Sequence, residues 1–213
     1  MSARDAILAA VRRAAPASTP LPDLSGFGGG AGEGGAGEGG AGDLAARFAA
    51  AVEAAGGRVV EAEPGGPQPG GVEAAVRAAY PEPGRVASAT GRVAGAAPPD
   101  DPDALADLDL FVCEAALGVA ENGAVWLPES AVGPRVAPFL AAHVAVAVER
   151  AALVPTMHDA YARIDGAGGA APGGADAEGF GVFVAGPSKT ADIEQSLVVG
   201  AHGPVSLTIV LVG

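Results

Sequence analysis

Glu121-Asn122-Gly123 sits between two apolar runs, Leu117 to Ala120 and Ala124 to Leu127. Asn-Gly between such runs signals a tight turn. Glu114 precedes the pair and Glu129 follows it, so three carboxylates could converge on one rim. A carboxylate held in an apolar surround has a raised pKa and can act as a nucleophile or proton shuttle. A surface hairpin whose glycine only supplies positive φ is the plainer reading of the same residues.

A second constellation follows the run Val182 to Ala185. Gly186-Pro187-Ser188-Lys189-Thr190 leads into Ala191-Asp192-Ile193-Glu194-Gln195-Ser196-Leu197. The spacing predicts strand, loop and helix, with the helix running from Ala191 to Val199. A glycine after a strand admits a ligand to the backbone, and Ser188, Thr190 and free helix amides can bind an anion. Lys189 adds a point charge. The Walker spacing is absent, so this is not a P-loop. Plain capping competes, with Ser188 or Thr190 as N-cap and Asp192 and Glu194 facing the helix dipole. His202, in Gly200-Ala201-His202-Gly203-Pro204, stands where a loop enters the last strand and can serve as general acid or ligand. His143 and His158 lack partners at ligand spacing and read as structural. Cys113 reads as a small buried hydrophobe.

The elements that must position these residues alternate. Helices are expected at 2–15, 43–55, 72–80 and 155–164, with a short one after Pro98 to Asp103. Strands are expected at 58–62, 85–89, 110–113, 117–120, 124–127, 144–148, 181–185 and 207–212. Alternation with apolar strands points to an α/β fold, a three-layer α/β/α domain with a mostly parallel sheet. Such sheets bind ligands at the carboxyl ends of their strands, so both constellations are expected there. Residues 1–24 read as an N-terminal helix and linker, 25–42 as a Gly-rich flexible insert, and 43–213 as the domain. A second flexible insert is expected at 165–179.

Composition narrows the function. The chain has 213 residues, of which 34 are Gly and 18 Pro, together about a quarter. An apolar share of 49% still allows a core, built from Val, Leu and Ala because aromatics are only 4%. Net charge is −13, which disfavours nucleic acid and acidic membranes. One cysteine excludes an internal disulfide and a four-thiolate cluster within the chain, so no cofactor and no metal are expected here. No targeting segment or bilayer-length apolar run is visible, which makes the cytoplasm the expected location. The chain has eleven Arg but one Lys and one Asn. Both rarities, Lys189 and Asn122, fall in the two constellations.

The stretch from Gly186 to Pro204 closely resembles a signature of the LutC/YkgG family, whose members carry a LUD domain. Glu114 to Val125 resembles its second signature, with Asn122 and Ala124 where the family has Glu-Thr-Gly-Thr. The resemblance implies a fold similar to the NagB/RpiA/CoA-transferase group. It also implies an accessory role in L-lactate utilization, the oxidation of lactate to pyruvate beside separate iron–sulfur proteins, with a small anionic metabolite bound. Glu121 and His202 are then the candidate catalytic groups. Asn122, Gly123, Gly186, Pro187, Ser188, Lys189, Thr190, Asp192 and Glu194 are the candidate ligand contacts. The expectation is a component of a lactate-oxidising system rather than a stand-alone enzyme. Two alternatives stand beside it: an acyl- or CoA-transferring enzyme with Glu121 as nucleophile, and a metabolite-sensing binding module.

Overall fold

The computed structural model describes residues 2–14, 41–62, 70–166, 180–191 and 195–213. It divides into two units, Met1–Gly37 and Glu38–Gly213. The first unit contains α1 (Ala3–Ala14). Ser2 and Asp5 cap it reciprocally: the Asp5 N–H donates to Ser2 Oγ at 3.2 Å, and the Ser2 N–H donates to Asp5 Oδ2 at 3.0 Å. Ser2 Oγ also donates to Asp5 Oδ2 at 2.8 Å, and this bond, with the one from the Ser2 N–H, holds the Asp5 carboxyl below its ordinary range. No residue of α1 is buried.

The second unit begins with α2 (Ala41–Ala54), β1 (Arg58–Glu61), α3 (Gly70–Ala79) and β2 (Val86–Ser88). A 3₁₀ turn, Pro102–Leu105, leads into β3 (Leu110–Glu114). Then come β4 (Leu117–Val119), β5 (Ala124–Pro128), the short helices α4 (Glu129–Val132) and α5 (Ala137–Leu140), and β6 (His143–Glu149). The chain continues through β7 (Leu153–Val154), α6 (Met157–Gly166), β8 (Gly181–Val184), β9 (Lys189–Thr190), β10 (Val198–Val199) and β11 (Ser206–Val212).

Five strands form a wholly parallel sheet in the order β1-β11-β6-β3-β2. The β1–α3–β2 connection crosses the whole sheet on one face. The later connections step back along the other, as right-handed crossovers require. Val72 and Val76 of α3 therefore pack on Leu110, Val112, Ala145, Ala147 and Val210. Phe48 and Val52 of α2 pack on the opposite face against Phe111, Val146 and Ile209. A second, mixed sheet in the order β7-β4-β5-β8 joins this side through Val125 and Leu127. Its outer face carries Leu117, Val119 and Val154, covered by Ala160 of α6.

The expected α/β architecture, with a mostly parallel sheet flanked by helices, is what the chain forms. Its central strands are mostly apolar because helices or the second sheet cover both faces. Cys113 is fully buried, as expected, and burial pushes its thiol far above the ordinary range. The insert expected at 25–42 lies outside the described residues except for Ala41 and Gly42, which already belong to α2. The insert at 165–179 does so except for Asp165 and Gly166, which close α6.

One element differs. Val198–Val199 is a strand, paired antiparallel to Lys189–Thr190, and the described residues 195–199 do not form the helix expected from Ala191 to Val199. Asp192 and Glu194 lie outside the described residues. Two β-branched valines at 198–199 favour the pleated backbone over the helix. Leu197 and Val199 are exposed, so the sequence's apolar spacing here never meets a core.

Candidate functional site

Registered pairing brings the two constellations together. β5 and β8 are antiparallel, with Val125 opposite Val184. One step beyond Ala124 and Ala185, the same register sets Gly123 beside Gly186. Both have φ of +70°. Both press on the last turn of α2. A Cβ at Gly123 would stand 2.5 Å from the Val52 nitrogen, and one at Gly186 would overlap the Ala55 carbonyl. Glycine is required at each place by backbone angle and by contact at once.

The Glu121-Asn122-Gly123 turn is held locally. Asn122 Oδ1 accepts from the Ala124 N–H at 3.0 Å, which is an Asx turn. Glu121 is exposed, and its Oε2 accepts from the Met157 N–H at 2.8 Å. The carboxylate thereby caps the first turn of α6, where an anion also meets the positive end of the helix dipole.

The three carboxylates do not share a rim. Glu114 and Glu129 lie beyond the open end of the β4–β5 hairpin, and Glu121 lies at its closed end. Glu114 sits at the carboxyl edge of the parallel sheet. It accepts from Thr90 Oγ1 and pairs with Arg92 at 3.5 Å. Arg92 also reaches Glu149 at 2.6 Å. Glu129 is clasped by Arg135, with Nε and Nη2 at 2.6 and 2.9 Å. The hydrogen bonds from Arg135 hold the Glu129 carboxyl below its usual range. Hairpin geometry decides this outcome, because residues flanking a two-stranded turn emerge opposite its tip.

Loop 186–190 folds against loop 200–205. The Ser188 N–H donates to the Pro204 carbonyl at 2.9 Å, and the Gly200 N–H donates to the Ser188 carbonyl at 2.8 Å. Lys189 Nζ donates to the Ala55 carbonyl at the end of α2. An ammonium has three donors, and among the described residues the Ala55 carbonyl is the acceptor it meets. Lys189–Thr190 pairs as a strand, and the residues after Ala191 that were expected to open a helix and complete an anion cradle lie outside the described residues up to Gln195. Pro187 is buried and Thr190 half-buried.

These loops lie at the amino edge of the parallel sheet, not at the carboxyl edge expected from the general rule. Residues 141–142 and 205 directly precede β6 and β11. Together with Leu108, Asp109, Phe139 and His202 they line an open depression of about 650 Å³. His202 is exposed, and among the described residues its ring makes no hydrogen bond to Glu121. Asp109 Oδ2 accepts from the Gly84 N–H at 2.7 Å, and Asp107 pairs with Arg85. Thr90, Arg92 and Glu149 escaped the sequence reading. Their partners come from strands far apart in the chain, and no spacing marks them. Among the described residues no group of three or more His, Cys, Asp or Glu side chains is placed to hold a metal. No described helix is long and apolar enough to cross a membrane.

The fold is similar to that of a solved structure, a DUF162 family protein from Deinococcus radiodurans. The TM-score is 0.55 at 17% identity, over 81% of this chain and 98% of that one. Sequence relatives include the Lactate utilization protein C of Bacillus pumilus (strain SAFR-032), 35% identical over 94 residues. Lactate utilization protein C 1 of Bacillus mycoides (strain KBAB4) is 32% identical over 104 residues. These alignments span 44% and 49% of this chain, and 38% and 43% of the relatives, so the chain matches less than half the length of either. The LUD domain pattern matches residues 100–212, more than half of the sequence, and takes in both glycine turns, loop 186–190 and His202. The chain belongs to the LUD domain family.

Proposed function

We propose that the chain is an accessory protein of L-lactate utilization, working beside separate iron–sulfur proteins that oxidise lactate to pyruvate. The observation that carries this reading is the likeness to relatives named Lactate utilization protein C. In this reading a small carboxylate or other anion is held at the amino edge, where loop 186–190 meets loop 200–205. Lys189 offers its ammonium, and Ser188 and His202 flank it. The charge-assisted bonds of a lysine are the strong ones available to such a ligand. Glu121 acts as the cap of α6, so the reading assigns it a structural part and leaves electron transfer to the partner proteins.

Calorimetry tests the ligand. Titration with lactate, pyruvate, sulfate and phosphate is expected to show binding to the wild type. Lys189→Ala should weaken it by about 1–3 kcal/mol, the value of a hydrogen bond to a charged group. Equal binding by both proteins removes Lys189 from the site. Genetics tests the role separately: deletion of the gene should abolish growth on L-lactate and spare growth on pyruvate. Undiminished growth on lactate removes the accessory reading.

A further inference from the structure

Asn122 is the one asparagine of the chain, and a glycine follows it. That pair is open to attack by its own backbone. Once hydroxide has taken its proton, the glycine nitrogen can bond to the asparagine Cγ. The new N–C bond closes a five-membered succinimide, and ammonia leaves. Water then opens the ring, either to aspartate or to isoaspartate, in which the main chain runs through the former side chain. The sum is an amide and a water converted to a carboxylic acid and ammonia, with nothing oxidised or reduced. Glycine hinders the attack least, because no Cβ stands beside its nitrogen.

The fold restrains both reacting groups. The nucleophile is the Gly123 nitrogen, and its N–H is donated to the Val119 carbonyl at 2.9 Å. Gly123 is buried, whereas Asn122 is exposed. Water therefore reaches the residue that is attacked, but the N–H that must ionise is covered and bonded. The carboxamide is tied as well, since Asn122 Oδ1 accepts from the Ala124 N–H at 3.0 Å. The peptide between them has no room to turn. A Cβ on Gly123 would stand 2.5 Å from the Val52 nitrogen and 2.7 Å from the Ala51 carbonyl carbon, so the hairpin tip is pressed on α2.

We propose that Asn122–Gly123 is a gated modification site. It deamidates only from the state in which the tip of the β4–β5 hairpin has lifted from the last turn of α2, and seating of the tip protects it. The reaction also prevents return. Isoaspartate at 122 lengthens the main chain by one carbon, so Gly123 loses the place that its φ of +70° and its contact with α2 demand. A new carboxylate is added beside Glu121. The inference does not depend on the lactate reading.

Peptide mapping by mass spectrometry counts aspartyl and isoaspartyl 122 in the whole protein, kept in mildly alkaline buffer either folded or in concentrated urea. The folded protein is expected to react at least about tenfold more slowly, because breaking a buried backbone hydrogen bond and its seat must come first. Amide hydrogen exchange at Gly123 begins with loss of the same proton, so both reactions share one opening equilibrium. Val52 is fully buried under the tip. Val52→Ala loosens the seat without touching Asn122 or Gly123, and should speed deamidation and Gly123 exchange by the same factor. If that variant does not fold, urea below the unfolding transition loosens the wild type, and the two rates should again rise together. Equal deamidation in the folded and unfolded protein overturns the proposal. So does a rise in Gly123 exchange that leaves deamidation unchanged.

Discussion

The two edges of the parallel sheet are held by different physics. At the carboxyl edge, exposed ions do the joining. Arg92 reaches Glu114 of β3 and Glu149 of β6, and Arg150 reaches Glu61 of β1 at 3.0 Å and the Gly213 carbonyl at 2.5 Å. At the amino edge, backbone fit does it. Gly123 and Gly186 seat two loops on the last turn of α2, and loop 200–205 closes on Ser188 through main-chain bonds. Exposed ion pairs trade hydration for modest attraction and yield little. Backbone seated on backbone leaves no room to relax. The edge richer in charge should therefore be the easier one to alter, and the edge bearing the family's most specific stretch the harder.

Three substitutions test that contrast. Gly123→Val combines a positive φ with a Cβ driven into the backbone of α2. It should cost about 2–4 kcal/mol in denaturant unfolding, if the protein folds at all. Lys189→Ala removes a cation from the carboxyl end of α2, a loss of about 0.3–1 kcal/mol alongside its effect on anion binding. Arg92→Ala should cost at most about 1 kcal/mol, and the difference from wild type should shrink in high salt. If Arg92→Ala proves costlier than Gly123→Val, the contrast between the edges is broken.

The smallest effect concerns acid. The Glu129 carboxyl is depressed by its hydrogen bonds to Arg135, so the folded state binds its proton less readily than the unfolded chain. Its stabilisation is present above the ordinary glutamate value, about pH 4.3, and is lost as pH falls through the folded value. Glu129→Gln should lower stability slightly at neutral pH. It should match the wild type once both are measured in acid below the folded value. A gap that stays constant with pH would assign the effect to packing instead.

Much of the fold was legible in the chain. Apolar runs such as Leu110 to Cys113 and Leu207 to Val212 could only be strands covered on both faces, and each is. The Asn-Gly signal at 122–123 marked a real turn, because the φ it needs is a local property. The segment after Lys189 misled, because capping residues and apolar spacing both suited a helix. Pairing between residues 189–190 and 198–199 formed a strand instead, a contact that local pattern does not encode. The carboxylates misled for a related reason. Glu114, Glu121 and Glu129 are close in sequence, yet each answers to a partner from elsewhere: Arg92, the Met157 amide and Arg135.

By itself the sequence determined the main strands and helices up to Val184, the parallel character of the sheet, and the residues of both family signatures. Those follow from hydrophobic period, turn chemistry and residue identity, all of which act over short range. Tertiary structure alone decided that Gly123 and Gly186 share one register and one helix end, and that the signature loops gather at the amino edge. It also joined Tyr80, His143, Ser206 and Thr208 into a single chain of hydrogen bonds. These depend on which strands become neighbours, and burial of apolar faces settles that over the whole domain at once.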